Sequence, residues 1–233
     1  MADRRSAISV MPFTSTSPAS AGPAEVLAAL QFLLQVEYLQ AALYAGAATP
    51  GLVPTTDATV YTTLTAHSTK HLSLITELIT TRAALPAPSP VFDFTVKGAF
   101  PGFAFAAGQY ATLQMLTQIV EDFAVRCYLG QLGVIAADKV ALNTVVTILT
   151  VEARHASQVR RLRATQGWIT GNSRGDLPAF AQAVYDGEDN VQQGTVNVTS
   201  VASGFGEVAG ATQAFDEPLS AAQASAILTL FVV

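Results

Sequence analysis

Charged side chains are scarce in this 233-residue sequence, at 12% of the total, whereas soluble domains usually carry about 25%. Because half of the residues are apolar, we expect helices that bury more than one face or a surface that lies against other subunits. The net charge of -5 and the pI near 5.1 give no electrostatic basis for binding nucleic acid or an anionic membrane. No apolar run reaches the length of about 18 residues that a membrane-spanning helix needs, so we expect no transmembrane segment.

Cysteine is almost absent as well. The single Cys127 excludes an internal disulfide and a Cys-rich zinc site, and we expect it to be a small buried apolar side chain. Arg4 and Arg5 resemble the start of a twin-arginine leader, but no apolar segment of the required kind follows them. We therefore interpret residues 1–22 as a polar N-terminal arm.

Four long segments place apolar residues at steps of three and four, which is the pattern of helices with one buried face. Prolines and glycines separate these segments, and Pro23 suits the first turn of the first helix. The predicted helices run from about Pro23 to Ala45, Asp57 to Ala84, Pro101 to Leu132 and Asp138 to Gly167. The proline-rich segment 85–99 is long enough to run along the bundle between the second and third helices.

The helical pattern stops after Gly167. Residues 170–218 are rich in Gly, Asn, Thr and Val, and a short alternation at 195–201 predicts a strand or hairpin. Residues 216–220 should cap a last short helix that ends in the apolar run 228–233. The sequence thus predicts an all-α fold: a four-helix bundle over 23–168 and a C-terminal extension over 169–233 that packs on it.

The predicted buried faces also carry acidic residues and histidines, and the chain has only three histidines. Burying an unpaired carboxylate is costly, so such groups are normally paired, protonated or bound to a metal. In di-metal carboxylate bundles, two helices each contribute one Glu and the other two each contribute a Glu-x-x-His pair. The residues that fit this scheme are Glu37, His71, Glu121, Glu152 and His155.

The i, i+3 spacing of Glu152 and His155 places both side chains on one helix face. On the second helix, Ser68 occupies the position where a Glu should precede His71, so one bridging carboxylate and one negative charge are missing. The remaining three carboxylates and two imidazoles suit one Fe or Mn ion, or two ions with added water ligands. His67 is a candidate substitute ligand or a hydrogen-bonding residue beside the site, because it is rotated by about 100° from Ser68.

Each residue also has a plainer interpretation when it is taken alone. Glu37 suits a hydrogen-bonded carboxylate between helices, and His155 suits a partner of Glu152 or Glu121. We expect Arg126 and Arg154 at the surface or beside the site, and Arg160, Arg161 and Arg163 at a solvated end of the fourth helix. Two interpretations stay open for Tyr38, Tyr44, Tyr110 and Tyr128: a place near the centre, where they would matter for one-electron chemistry, or packing, which aromatic side chains at helical spacing usually serve.

Five short motifs, in order along the chain, resemble the ferritin-like domain family that includes the plant desiccation-related proteins. The motifs are residues 36–39 (VEYL), 92–94 (FDF), 121–130 (EDFAVRCYLG), 152–156 (EARHA) and 214–219 (AFDEPL). The resemblance covers most of residues 24–233. It implies that Glu37, His71, Glu121, Glu152 and His155 occupy the family's metal-ligand positions, from which Ser68 departs.

Two functions follow as hypotheses. The resemblance implies a redox or stress-protective protein whose degenerate di-iron or di-manganese site acts on O2 or peroxide. The alternative is a non-catalytic scaffold that self-associates, which the Ser68 substitution, the low charge and the apolar C-terminus favour. Low lysine content and the desiccation-related resemblance favour an extracytoplasmic location.

Overall fold

The computed structural model describes residues 21–200 and 207–233, so the predicted N-terminal arm lies almost entirely outside the described residues. The fold is mostly helical and is built around four long helices. They are α1 (Pro23–Ala47), α2 (Ala58–Thr80), α3 (Tyr110–Ile135) and α4 (Lys139–Leu162). Helix α3 packs against α1 and α4, and α1 packs against α2. This arrangement confirms the predicted ferritin-like four-helix bundle.

Local sequence explains where two of these helices begin. Pro23 occupies the first turn of α1, and the backbone N–H of Gly22 donates to Glu25 Oε2 at 2.6 Å. Asp138 caps α4, because its carboxylate accepts from the backbone N–H groups of Val140 and Ala141, each at 3.0 Å. Such caps satisfy donors that have no partner inside the helix.

The predicted helix ends were less accurate than the helix positions. Helix α3 begins at Tyr110 rather than near Pro101, because the preceding loop turns at Gly102 and Gly108, both with positive φ. Helices α2 and α4 end earlier than predicted, and Ala83 and Ala164 just beyond them both have φ of 55°. A left-handed residue breaks the helical hydrogen-bond pattern.

The extension after α4 consists of short elements. A 3-10 turn (Ala179–Ala181) leads into α5 (Gln182–Tyr185), and an antiparallel hairpin pairs β1 (Gln192–Gln193) with β2 (Val196–Asn197). The hairpin confirms the predicted one but begins earlier in the chain, and part of the predicted alternation lies outside the described residues. Helices α6 (Glu207–Thr212) and α7 (Ala221–Leu230) complete the chain.

The C-terminal helix packs against the body of the same chain. Ser220 caps α7 as predicted, and Ile227, Leu228 and Phe231 are buried, with α7 in contact with α3 and α5. The apolar run 228–233, which the sequence favoured as an interaction surface, therefore lies largely in the chain's own core. Only the last residue, Val233, is strongly exposed, at 78%.

Two buried arginines, Arg126 and Arg160, connect α3 and α4 to the extension. The sequence predicted a solvated Arg160, and a surface position was one of two expected for Arg126. Arg126 donates to the backbone carbonyls of Val184, Asp186 and Glu217 and lies 2.6 Å from Glu188. Its guanidinium therefore satisfies three carbonyl groups of irregular backbone, which would be costly to bury without a donor.

Arg160 forms the second connection. It makes a two-point ion pair with Asp122 at 2.9 and 2.6 Å, and the Tyr185 hydroxyl donates to the same carboxylate at 2.6 Å. Two-point arginine–carboxylate pairs fix geometry as well as charge. The extension is thus attached to the outer side of α3 by polar groups that are themselves buried.

Helix α1 is the one helix among the described residues that is long and apolar enough to span a membrane. However, more than half of its most apolar stretch is buried inside the protein. It also turns Glu37 and Gln40 into the interior. Helix α1 therefore has the burial expected of a central helix of the bundle.

We predict that Gly130→Ala destabilises the protein, because a Cβ at Gly130 would lie 1.9 Å from the backbone oxygen of Leu219. Overpacking of this kind typically costs about 1–3 kcal/mol. Gly133→Ala on the same helix is the matched control, since a Cβ there meets nothing within 4 Å and should stabilise by up to about 1 kcal/mol. Urea denaturation measures both, and equal stability of the two variants would contradict the close approach of α3 and residue 219.

Candidate metal centre

All five residues that the sequence singled out meet in the middle of the bundle. Helices α1, α2 and α3 contribute Glu37, His71 and Glu121, and α4 contributes Glu152 and His155; all are buried, at 0–6% exposure. They form two groups that could each hold a metal ion, Glu37–His71–Glu152 and Glu121–Glu152–His155. In each group one ligand atom per residue lies within 4.8 Å of the others. Glu152 belongs to both groups and therefore joins the two halves of the cluster.

The distances within each half are short. His71 Nδ1 lies 2.7 Å from Glu152 Oε1 and 3.6 Å from Glu37 Oε1. His155 Nδ1 lies 3.6 Å from both Glu121 Oε2 and Glu152 Oε2. Each imidazole thus turns its Nδ1 atom towards two carboxylates, as expected of side chains that share one cation.

Several of these atoms lack a hydrogen-bond partner despite their burial. Nine buried polar side-chain atoms of the described residues have none, and five of the nine belong to the predicted ligands: Glu37 Oε2, His71 Nδ1, Glu121 Oε2, Glu152 Oε1 and His155 Nδ1. The contact between His71 and Glu152 is short enough for a hydrogen bond, but the N–H direction does not fit one. Buried polar groups are normally paired, so these atoms converge without satisfying one another.

His67 lies outside this convergence. Its ring stacks on His155 at a centroid distance of 5.2 Å, and its Nδ1 lies 2.9 Å from His155 Nε2. The side chain is exposed and lines an opening of about 300 Å³ beside Leu64 and Val151. Of the two interpretations from sequence, the geometry therefore fits hydrogen bonding beside the cluster rather than a substitute ligand.

Ser68 is buried on the same face of α2 as His71, and its Oγ atom has no hydrogen-bond partner. The position therefore faces inwards, as the expected Glu would. A hydroxyl does not reach as far as a Glu carboxylate, so the substitution removes a potential ligand and a negative charge.

The sequence interpretation missed Gln40, which hydrogen-bonds to the cluster directly. Its Nε2 donates to Glu152 Oε2 at 2.6 Å and to Glu121 Oε1 at 3.2 Å. The available signal was its spacing, since residue 40 follows Glu37 by three positions and shares its helix face. A neutral polar residue on an apolar stripe attracts less attention than a carboxylate.

Tyr128 lies next to the cluster, and its hydroxyl donates to Glu37 Oε1. Tyr44 is also buried, and its hydroxyl has no partner. Tyr110 lies away from the cluster, because its hydroxyl donates to Asp57 at the start of α2 at 2.5 Å. Besides the ligands, α3 thus contributes a hydroxyl, that of Tyr128, to the polar environment of the cluster.

Burial and mutual repulsion shift the acidity of the carboxylates. Desolvation raises the pKa of Glu37 to about 7, and desolvation together with the charge of Glu152 raises the pKa of Glu121 to about 8. Burial also opposes the ionisation of Glu152, but close polar contacts and charge interactions with His155 and His71 hold its pKa well below the usual range. Glu152 is therefore the carboxylate that stays ionised.

The histidines shift in the opposite sense to that expected from burial. Desolvation alone would lower the pKa of both rings, but their carboxylate neighbours outweigh it. Glu152 and Glu37 raise the pKa of His71 to about 9, and Glu121 and Glu152 raise that of His155 to about 10. Without a metal, the cluster thus retains protons that a cation would displace.

The fold and the cluster together define a class: a four-helix bundle with a buried carboxylate–imidazole site that could hold a metal ion. The ferritin-like domain family model matches residues 25–165, and the chain belongs to this family. No curated protein matches the chain with significant similarity. The match ends near the end of α4, so the extension that covers α3 lies beyond it. The closer resemblance to desiccation-related proteins stays a prediction.

The pKa shifts predict how the stability of the metal-free protein depends on pH. The carboxyl pKa values of Glu37 and Glu121 rise from 4.5 to about 7 and about 8, so their stabilisation is lost as the pH rises through that range. The histidine pKa values rise from 6.5 to about 9 and about 10, which adds a loss at higher pH. We therefore expect the melting temperature of metal-free protein to fall steadily from about pH 5 to about pH 9.

Calorimetry of the chelator-treated protein across this range measures the effect. Glu121→Gln should flatten the dependence, because it removes one of the groups that take up a proton on folding. Added Mn²⁺ should stabilise the protein more at pH 8 than at pH 6, since metal ligands must be deprotonated. A melting temperature that rises with pH in the metal-free protein would contradict the assigned protonation.

Proposed function

We propose that the cluster binds Fe or Mn, as one or two ions, and that the protein uses this centre for redox chemistry with O2 or peroxide. The observation that carries the proposal is the convergence of unpartnered carboxylate and imidazole atoms from all four helices on one buried region. A purely structural network would be expected to pair its buried atoms with one another.

The donor set fits these metals. Imidazole nitrogen suits Fe as well as Zn and Cu, carboxylate oxygen suits Mn, and helical bundles with mixed carboxylate–imidazole sites hold Fe or Mn. The single cysteine, Cys127, is not a member of either group. A bound Fe or Mn ion would supply one-electron chemistry and polarise an oxygen ligand.

The protein's own groups would orient the ligands. We propose that His155 Nε2–H donates to His67 Nδ1, which leaves His155 Nδ1 free to face Glu121 and Glu152; the two nitrogens lie 2.9 Å apart. Similarly, the Tyr128 hydroxyl occupies Glu37 Oε1, so the other oxygen of that carboxylate remains free. Such outer partners fix ring orientation and strengthen the ligand.

Access for a small oxidant is supported by the opening beside His67. The apolar side chains of Leu64 and Val151 line it, and it reaches the edge of the His155 ring. A volume of about 300 Å³ accommodates a small neutral molecule such as O2 or H2O2.

Metal content gives the direct test. We expect protein purified from medium containing Fe and Mn to hold one or two ions per chain. Loss of an outer partner alone costs about 10–100-fold in metal affinity, so Glu152→Gln, which removes the ligand shared by both halves, should cost at least that much. Glu77→Gln, at an exposed position of α2, is the matched control and should keep the metal.

Plasma mass spectrometry counts the ions, and O2 and peroxide consumption then tests the redox role. A folded protein that stays metal-free in excess Fe and Mn would contradict the proposal. Equal metal loss from the Glu152 and Glu77 variants would show that binding is non-specific.

A scaffold function is the second proposal, and exposed apolar residues near the C-terminus support it. Val233 N–H donates to the backbone oxygen of Val91 at 3.0 Å, which places these side chains, exposed at 78% and 72%, next to each other. Leu85, at 89% exposure, lies in the same linker. We propose that this surface supports self-association, in a stress-related role like that implied by the desiccation-related resemblance.

The scaffold proposal predicts concentration-dependent assembly. We expect sedimentation velocity to show species larger than one chain, and Val91→Asp to shift them towards monomer because it places a charge in the contact. Val196→Asp, at an exposed hairpin residue, should leave the assembly unchanged. A monodisperse monomer over a wide concentration range would rule this function out.

A further inference from the structure

Gln40 is the one neutral side chain of the described residues that hydrogen-bonds to two of the predicted ligands. It is 1% exposed, and its Nε2 lies 2.6 Å from Glu152 Oε2 and 3.2 Å from Glu121 Oε1. An amide nitrogen has two hydrogens and can donate one to each carboxylate. Both acceptors belong to the same half of the cluster, the half that contains His155.

The direction of the amide follows from its neighbours. With nitrogen and oxygen exchanged, the amide oxygen would face the ionised Glu152 carboxylate at 2.6 Å and gain no donor from it. In the orientation described, only the Gln40 oxygen lacks a partner. The amide therefore serves as a donor to the carboxylates, as the hydrogen-bonding capacity of Gln and an ionised Glu requires.

The two halves consequently differ in what they offer a cation. On the Glu37–His71–Glu152 side, Glu37 Oε2, His71 Nδ1 and Glu152 Oε1 are all without a hydrogen-bond partner. On the Glu121–His155 side, Glu121 Oε2 and His155 Nδ1 are free, but the facing oxygen of Glu152 already accepts from Gln40. A cation on this side would have to share that Glu152 oxygen with the amide, whose hydrogen bond already neutralises part of its charge.

Charge acts in the same direction. The cluster has three carboxylates, Glu37, Glu121 and Glu152, so two divalent ions would leave an excess positive charge in a buried region, which is costly. One divalent ion leaves only a single negative charge on the three carboxylates. A carboxylate at position 40 would supply the fourth negative charge that balances two divalent ions.

We propose that Gln40 makes the centre asymmetric, so that one divalent ion binds tightly in the Glu37–His71–Glu152 half and a second binds weakly, if at all, in the Glu121–His155 half. This inference rests on the proposed metal-binding function and specifies the occupancy of the same site. Gln40 acts on that occupancy by holding Glu152 and Glu121 and by withholding a charge.

The test is equilibrium dialysis of the chelator-treated full chain against Mn²⁺, with free Mn²⁺ measured by electron paramagnetic resonance. We expect one tight Mn²⁺ per chain in the wild type, and a second weaker by about 10-fold or more, in line with the usual effect of outer-shell groups on affinity. Gln40→Glu should bind two ions with affinities that agree within about 10-fold. Gln35→Glu, on the half-buried side of the same helix, is the control and should bind as the wild type does.

Two further variants test the asymmetry without adding a buried charge, in case Gln40→Glu does not fold. His71→Ala should abolish the tight ion, and His155→Ala should retain it. Equal losses in both, or two equally tight ions in the wild type, would overturn this inference and leave the metal-binding function intact. A wild type that binds no Mn²⁺ and no Fe²⁺ would overturn both, and a single ion in a folded Gln40→Glu variant would show that Gln40 does not set the occupancy.

Discussion

Three carboxylates buried side by side in an apolar bundle are the constraint on which the rest of this structure depends. Glu37, Glu121 and Glu152 are each at most 1% exposed, and their ion-pair partners among the described residues are histidines. Such burial is costly unless hydrogen bonds, protons or a cation offset it. The histidines, the amide of Gln40 and the hydroxyl of Tyr128 supply part of that offset, and the unpartnered ligand atoms indicate where it is incomplete.

The four helices could be predicted from sequence because apolar periodicity reports directly on buried faces. Their ends could not, because residues such as Ala83 and Ala164 adopt positive φ without the glycine that usually marks it. The burial of α3 was also underestimated: residues 116–128 are buried without interruption, although the pattern predicted one buried face. The extension buries a second face of α3. Contacts between segments so far apart in sequence leave no periodic pattern from which they could be predicted.

The five cluster residues were predictable because charge is rare in this chain and the Glu152–His155 spacing is specific to one helix face. Gln40 was not, since a neutral amide carries no such signal. The environments of Arg126 and Arg160 could not be predicted for a related reason: arginines are usually solvated, whereas here Asp122, Glu188 and backbone carbonyls accept from them. The partners that bury these charges come from distant parts of the chain.

The attachment of the extension to α3 bears on what unfolds as one unit. The family match covers residues 25–165, yet Arg126 and Asp122 have hydrogen-bond partners between residues 184 and 217. A chain that ended at residue 165 would lack these partners. Arg126, five residues after Glu121 on α3, would then be exposed without them. The cooperative unit therefore extends past the recognised domain, and local opening of the extension would loosen the helix that carries one wall of the cluster.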